Sequence, residues 1–451
     1  MERPSSEVIQ ENRDYTLFSW SVQSAANPIH MTRAQGVWFW DGDGNKWLDF
    51  SSQLININVG HQHPKVLEAI KKQVDELCFA GPSFATEPRG KLGKKLAEVT
   101  GLAKSFFTLG GAEANENAMK IARLFTGRDK IITRYRSYHG ATMGSMTASG
   151  DPRRWPVEPG IPGIVRVFDP YCYRCPFGKT VDSCKRECVS HIEEVIQMEG
   201  PHTIAAIMVE GITGSNGLLV PPDDYYPKLR ALCDKYGILL ITDEVMSGFG
   251  RTGKWLSTQH YGIKPDIVTC AKGLTSGYMP LGAVIVSQPI ADYFENNMLW
   301  GGLTYSGHPV SCAAAVANLS VYEEEHLFEN TEVQGRYLAE RLEAMKRKYA
   351  CVGDVRYKGL FSVLELVRDK ATKEPLAPFN GTSPQMQKLA GYLKSKYVYA
   401  FSRFNMLWVC PPLVIDREEL KYGLDIIEEG LALVDEMLAA APVLSSPATS
   451  P

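Results

Sequence analysis

An α/β fold is what the sequence predicts: a mostly parallel sheet covered by helices on both faces, with a smaller α+β unit built from both chain ends. Three observations predict it. Between about residues 100 and 290, short apolar runs alternate with amphipathic stretches, the pattern of strands and crossover helices. Two charged residues close such runs, Asp243 straight after Leu239-Leu240-Ile241-Thr242 and Lys272 just beyond Ile267-Val268-Thr269-Cys270. Both then lie at the carboxyl edge of the sheet, where open α/β sheets bind ligands. Beyond about residue 308 the sequence turns helical again around weaker strand patterns.

A chain of 451 residues exceeds the roughly 250–300 at which one core stops growing, so more than one unit is expected. With 22% charged residues, 44% hydrophobic residues and a net charge of -3, nothing points to nucleic acid. No apolar run approaches the roughly 18 residues of a membrane span, and the first residues lack a signal-peptide core, so a cytoplasmic protein is expected. Ten cysteines in so long a chain do not describe a disulfide scaffold.

Residues 1–35 show little periodicity and read as an irregular arm with one helical turn. Next, Val37-Trp38-Phe39-Trp40 and Lys46-Trp47-Leu48-Asp49-Phe50 flank the turn 41–45 as an aromatic hairpin. That turn imitates a calcium loop, but Lys46 and Ser52 stand where Gly and Glu are needed. Pro64 opens an amphipathic helix to about Cys78, after the histidines of Gly60-His61-Gln62-His63-Pro64, which have no acidic or cysteine partner nearby in sequence. Strands are expected at 104–109, 130–134, 163–167, 204–209, 237–242, 266–270 and 281–287, with helices at 88–100, 113–126, 186–198 and 222–235. Further helices at 308–324, 331–349, 384–396 and 416–439 surround strands at 361–366 and 405–410. The expected division is an N-terminal arm and hairpin at 1–65, a large domain at 66–325, a C-terminal α+β part at 326–440 that joins the hairpin, and a disordered tail at 441–451.

The chemistry-bearing residues gather at the predicted sheet edge. A lysine there is partly desolvated, which lowers its pKa and makes the amine of Lys272 a carbonyl nucleophile. After the strand at 104–109, Gly110-Gly111-Ala112 precede a helix start, where small residues and free N–H groups suit a phosphate. A Schiff-base lysine, with an aspartate to hold a pyridine nitrogen protonated, is the pair that pyridoxal phosphate demands.

The segments DEVMSGFGRTG and AKGLTSGYMPLGA, together with GGAEANENAMKIAR, resemble class III pyridoxal-phosphate-dependent aminotransferases of fold type I over nearly the whole chain. That resemblance implies a seven-stranded sheet and pyridoxal 5'-phosphate as cofactor. It implies Gly111 and Ala112 as N–H donors to phosphate, and Tyr138 of the Tyr138-His139-Gly140 motif stacked on the pyridine ring with His139 beside it. Asp243 would face the ring nitrogen, Val245 would pack on the ring face opposite Tyr138, and Glu210 ends the strand before VEGITGSNG, where many relatives have EPxxGxGG. Thr304, in a TxSGxP-like segment, would reach the phosphate of a neighbouring subunit, which implies a homodimer with shared active sites and leaves a tetramer open.

The reaction implied is a ping-pong transamination from an amine or ω-amino acid donor to pyruvate or another 2-oxo acid. Arg403, upstream of Pro411-Pro412-Leu413, resembles the movable arginine of ω-transaminases, whose fork can hold a carboxylate or swing away. Phe84, Trp20 and Ile55 are read as pocket walls or core, and the donor stays open among taurine, β-alanine, diamines and arylalkylamines. A lyase, decarboxylase or aminomutase on the same scaffold would share these motifs, and a non-catalytic regulator is the reading from another class. Cys172, Cys175, Cys184 and Cys188 could hold zinc, form disulfides as a redox pair or remain thiols, away from the cofactor motifs.

Overall fold

Seven short strands pair into one central sheet in the computed structural model, which describes residues 3–440. In chain order the strands are β1 (Lys104–Thr108), β2 (Lys130–Arg134), β3 (Ile164–Val167), β4 (Ile204–Glu210), β5 (Leu239–Asp243), β6 (Ile267–Cys270) and β7 (Gly282–Val286). Across the sheet they lie β1-β7-β6-β5-β4-β2-β3, and β7 alone runs antiparallel to its neighbours. No strand end differs from its expected position by more than two residues.

The central strand β4 shows why. All seven of its residues are buried, and successive ones go to opposite faces. Ala206 and Met208 pack with Ala114, Ala118 and Ile121 of the helix Gly111–Thr126. Ile207 and Val209 pack instead with Ile192 and Ile196 of the helix Glu187–Glu199 and Leu229 of the helix Tyr225–Tyr236. A strand with no polar side reads as one apolar run, which is the signal a doubly covered parallel strand leaves.

Two smaller sheets flank this one, and the chain ends meet in the first of them. Strands Met31–Gln35, Trp38–Asp41 and Lys46–Asp49 form an antiparallel meander, to which Val398–Tyr399 adds in parallel beside Lys46–Asp49. The second is built on Val352–Lys358, Phe361–Asp369 and Met406–Val409, with helices Leu327–Lys348, Pro384–Ser395 and Arg417–Ala440 nearby in the chain. Arg251, fully buried, ties the segments together. Its guanidinium donates to Ser52 Oγ at 3.0 Å, Asn58 Oδ1 at 2.7 Å, and the carbonyls of Leu360 at 3.0 Å and Pro411 at 2.6 Å.

Three expectations need correction. Residues 1–35 are not an irregular arm, because they form an 11-residue helix, Ser5–Tyr15, and the strand Met31–Gln35. That helix buries none of its residues, so it left no apolar stripe to read. The strand Val352–Lys358 was not expected, because its inward positions include charges rather than an apolar run: Arg356 pairs with Asp354 at 2.8 Å and Glu365 at 2.7 Å. The histidines at 61 and 63 do have acidic partners, brought from afar: His61 lies 2.9 Å from Asp49 and His63 lies 2.8 Å from Glu325. The tail expected at 441–451 lies outside the described residues, and no helix among those described is long and apolar enough to cross a membrane.

Candidate active site

Parallel pairing of β4, β5 and β6 puts Glu210 opposite Asp243 and Asp243 opposite Thr269, so three polar side chains lie in one row at the carboxyl ends of adjacent strands. The Asp243 carboxylate, 3% exposed, is locked from several sides. His139 Nδ1 lies 2.8 Å from Oδ2, the Asn115 amide donates to the same oxygen at 2.7 Å, and the Val245 N–H donates to Oδ1 at 3.0 Å. Asn115 is oriented in turn, since its Oδ1 accepts from Thr269 Oγ1 at 2.6 Å and its amide also donates to the His139 carbonyl at 2.7 Å. A buried carboxylate so held can present its charge to a protonated ring nitrogen without reorganising. Asn115 went unread in the sequence. Its signal was there, because four residues past Gly111 on a helix is one turn along the same face.

Glu210 carries a second buried carboxyl, which accepts from the Tyr138 N–H at 2.9 Å and the Gly214 N–H at 2.7 Å. Burial pushes it up to about 7, with His139 opposing that rise and Asp243 adding to it.

Gly111 and Ala112 are the first two residues of the helix Gly111–Thr126, so their N–H groups have no intrahelical partner. Two close approaches fix this helix start. A Cβ on Gly140, where φ is +134°, would stand 2.6 Å from the Ala112 Cα, and a Cβ on Gly111 would stand 2.9 Å from both Val245 methyls. The expected phosphate cradle, the Tyr138-His139-Gly140 turn and Val245 are thus in mutual contact.

Lys272 follows β6 with φ +41°, a left-handed conformation uncommon outside glycine. Desolvation lowers its amine to about 8, against the opposing charges of Asp243 and Glu210. It lines a cavity of about 630 Å³ together with Gly111, Ala112, Tyr138, His139 and Asp243. Val245 and Glu210 line the same cavity. A desolvated amine, a fixed buried carboxylate and a helix N-terminus fit the aldehyde, ring nitrogen and phosphate of pyridoxal phosphate.

A second cavity, of about 480 Å³, shares Trp20, Tyr138, Met246 and Lys272 with the first and extends to Ile55 and Arg403. Trp20 meets Tyr138 edge to face at 6.5 Å, and Ile55 is both wall and core, packed with Phe361 and Trp408 at φ +56°. Arg403 grips Asp151 with two nitrogens, at 2.6 and 3.1 Å. Arg153 holds the same carboxylate at 2.8 and 3.1 Å and lies 3.5 Å above the Tyr138 ring centre. Burial would raise the Asp151 carboxyl, but the bonds from Arg403 and Arg153 outweigh it and hold it well below the usual range. Neither Asp151 nor Arg153 was singled out in the sequence, since Gly150-Asp151-Pro152-Arg153 reads as an ordinary turn. Phe84 and Thr304 line neither cavity and are exposed on this chain.

Away from both cavities, Cys172, Cys175, Cys184 and Cys188 surround a space of about 20 Å³ and are unpaired. Burial pushes the Cys188 thiol up to about 12, and among the described residues no group of three or more His, Cys, Asp or Glu is set to hold a metal ion.

Comparison with known proteins bears on the whole arrangement. The taurine–pyruvate aminotransferase of Bilophila wadsworthia is 36% identical over 450 residues, covering 94% of this chain and 97% of its own. A leucine/methionine racemase of Thermococcus litoralis is 37% identical over 415 residues, covering 91% of this chain and 92% of its own. Among solved structures, the taurine:2-oxoglutarate aminotransferase of Bifidobacterium kashiwanohense, in complex with PLP and glutamate, superposes with a TM-score of 0.94 at 42% identity, covering 97% of this chain and 100% of that one. The family model for aminotransferase class-III matches residues 20–431, a span that contains the Asp243 clamp, the Gly111 helix start and Lys272 alike. On this agreement of geometry and sequence, the chain belongs to the class III aminotransferases, pyridoxal-phosphate enzymes of fold type I.

Proposed function

We propose that this enzyme transfers the amino group of an amine or ω-amino acid to pyruvate or another 2-oxo acid in two half-reactions at one site. The observation that carries this reading is the adjacency of the two cavities at Lys272: one suits the cofactor, and the other ends in an arginine that can hold or release a carboxylate. Pyridoxal phosphate, when bound, supplies the electron sink that makes the hydrogen on the amino-bearing carbon acidic. Gly111 and Ala112 would hold its phosphate, Asp243 its ring nitrogen, Tyr138 and Val245 its two faces, and Lys272 its aldehyde carbon. Glu210 and His139 support that frame through the Tyr138 N–H and the Asp243 carboxylate.

With the cofactor bound, Lys272 Nζ would be the base that takes the proton from the donor carbon. Its lowered pKa keeps a useful fraction neutral near pH 7. Arg403 binds the carboxylate of the 2-oxo acid and returns to Asp151 when the donor presents none. Trp20 and Ile55 bound the space left for the donor.

The enzyme works as a homodimer in this reading, with Thr304 and Phe84 entering the neighbouring subunit's site. Exposed Phe79, Phe84, Trp300 and Tyr305 favour it, since Phe79 contacts Tyr305 at 6.0 Å and an apolar patch of this kind marks an interface. All ten cysteines are unpaired, which suits the cytoplasm.

The deciding experiment supplies purified holoenzyme with a donor panel and either pyruvate or 2-oxoglutarate. Alanine or glutamate formed in step with the donor's carbonyl product supports transamination. The racemase among the relatives favours a second reading, inversion of an amino acid; it predicts loss of optical rotation with no 2-oxo acid added.

A further inference from the structure

Gln53, Leu54 and Ile55 form part of the wall of the cavity of about 480 Å³, and the backbone that carries them is strained. Three of the four residues from Ser52 to Ile55 have left-handed φ without being glycine, at +47° for Ser52, +59° for Gln53 and +56° for Ile55. Gln53, whose ψ is -95°, comes close to the rare γ-turn conformation. Strain of this kind persists only where the surroundings hold it.

The holder is Asp49, which ends the strand Lys46–Asp49 and is fully buried. Its Oδ1 accepts from the Ser51 N–H at 3.2 Å, both its oxygens accept from the Gln53 N–H at 3.0 Å, and Oδ2 accepts from Gln53 Nε2 at 3.1 Å. Oδ2 has one partner from beyond this segment, His61 Nε2 at 2.9 Å. A carboxylate with donors on every side takes a donor there too, so His61 carries its proton on Nε2. The backbone of His61 is itself fixed: its N–H donates to the Gly36 carbonyl at 2.7 Å, and its carbonyl accepts from the Gly36 N–H at 3.0 Å. From the other side Ser52 Oγ donates to the Cys410 carbonyl at 2.7 Å and accepts from Arg251 at 3.0 Å.

We propose that Asp49 and His61 are positioning residues for the amine donor: as a clamp they hold residues 52–55 in their strained shape and so set the contour of the donor cavity. This rests on the transaminase reading above and deepens it. Without the His61 N–H, Asp49 Oδ2 keeps partners only within the segment that it must hold, and the segment can relax toward ordinary φ. The side chains of Gln53, Leu54 and Ile55 then move together. None of the three lines the cofactor cavity, so the change falls on the donor and spares the cofactor.

Three variants test the clamp: His61→Leu, which removes the N–H; His61→Gln, whose amide can donate from nearly the same place; and Asp49→Asn. Hydrogen exchange of peptides covering residues 50–56 reads the segment directly, with no reaction needed. His61→Leu is expected to speed exchange there roughly tenfold or more, with His61→Gln close to wild type. Donor half-reactions, followed in holoenzyme by cofactor absorbance, read the cavity. Between the bulkiest and the smallest donor that react, His61→Leu and Asp49→Asn should shift the ratio of kcat/KM roughly tenfold or more. His61→Gln should restore that ratio, and the affinity of apoprotein for pyridoxal phosphate should match wild type throughout. A pair that served stability alone would lower the unfolding midpoint and slow all donors in parallel. That outcome, or unchanged exchange at 50–56 in His61→Leu, overturns the proposal. If no donor reacts with wild type, the transaminase reading falls, and the exchange comparison still decides whether Asp49 and His61 hold the segment.

Discussion

Lys272 has to be both nucleophile and base, and its surroundings set how well it does either. Burial disfavours the ammonium, while Asp243 and Glu210 favour it, and burial wins, leaving the amine near 8 instead of its ordinary 10.5. The neutral amine attacks an aldehyde, so its fraction sets the rate at which apoprotein captures pyridoxal phosphate. That rate should climb with pH and level off above about 8. Stopped-flow absorbance across pH 6–10 (about the range over which such an amine titrates) checks it; a rate still climbing toward the ordinary lysine value would show that desolvation does not govern this amine. Asp243 and Lys272 were both legible in the sequence because each follows an apolar run. For Asn115, which orients Asp243, the sequence offered only its place one turn past Gly111; its role depends on Thr269 being brought beside it by β6.

At the scale of elements, the site is a contact between the start of one helix and the turn after β2. The closeness of Gly140 to the Ala112 backbone leaves no room for a side chain, and its φ of +134° disfavours one as well. Gly140→Val should push back the helix start at Gly111 and weaken cofactor phosphate binding by roughly tenfold or more, with donor specificity unchanged, as read by titration of apoprotein with pyridoxal phosphate. Unaltered affinity would mean that the helix start does not hold the phosphate. The same scale explains what could be read beforehand. Central strands such as β4 are apolar on both faces and announce themselves, and helices such as Gly111–Thr126 carry an apolar stripe. The helix Ser5–Tyr15 buries nothing, and the strand Val352–Lys358 buries paired charges, so neither followed a period that local sequence could reveal. Arg153 and Asp151 were hidden for a related reason: their meaning lies in Arg403, about 250 residues away, which no local pattern connects to them.

At the scale of the whole molecule, two claims concern how separate pieces are joined. Arg251 binds acceptors from the N-terminal segment, Ser52 and Asn58, and from the C-terminal segment, Leu360 and Pro411. Arg251→Ala would strand those buried acceptors and leave a cavity, a loss of the order of 4 kcal/mol, visible as a lower thermal unfolding midpoint. A midpoint unchanged within error would deny Arg251 that role. The second claim is that each site draws on two subunits. Thr304 is exposed and lines neither cavity of its own chain, so it can serve the cofactor phosphate only across an interface. Mixing inactive Lys272→Ala with Thr304→Asp, whose carboxylate would repel the phosphate, distinguishes the cases. In a hybrid dimer one site would combine the intact Lys272 of one subunit with the intact Thr304 of the other, while the second site carries both lesions. Random reassortment puts half of the dimers in hybrid form with one good site of two, so activity should recover to about a quarter of wild type. If Thr304 acts only within its own chain, neither subunit supplies a complete site, and no mixing ratio restores turnover.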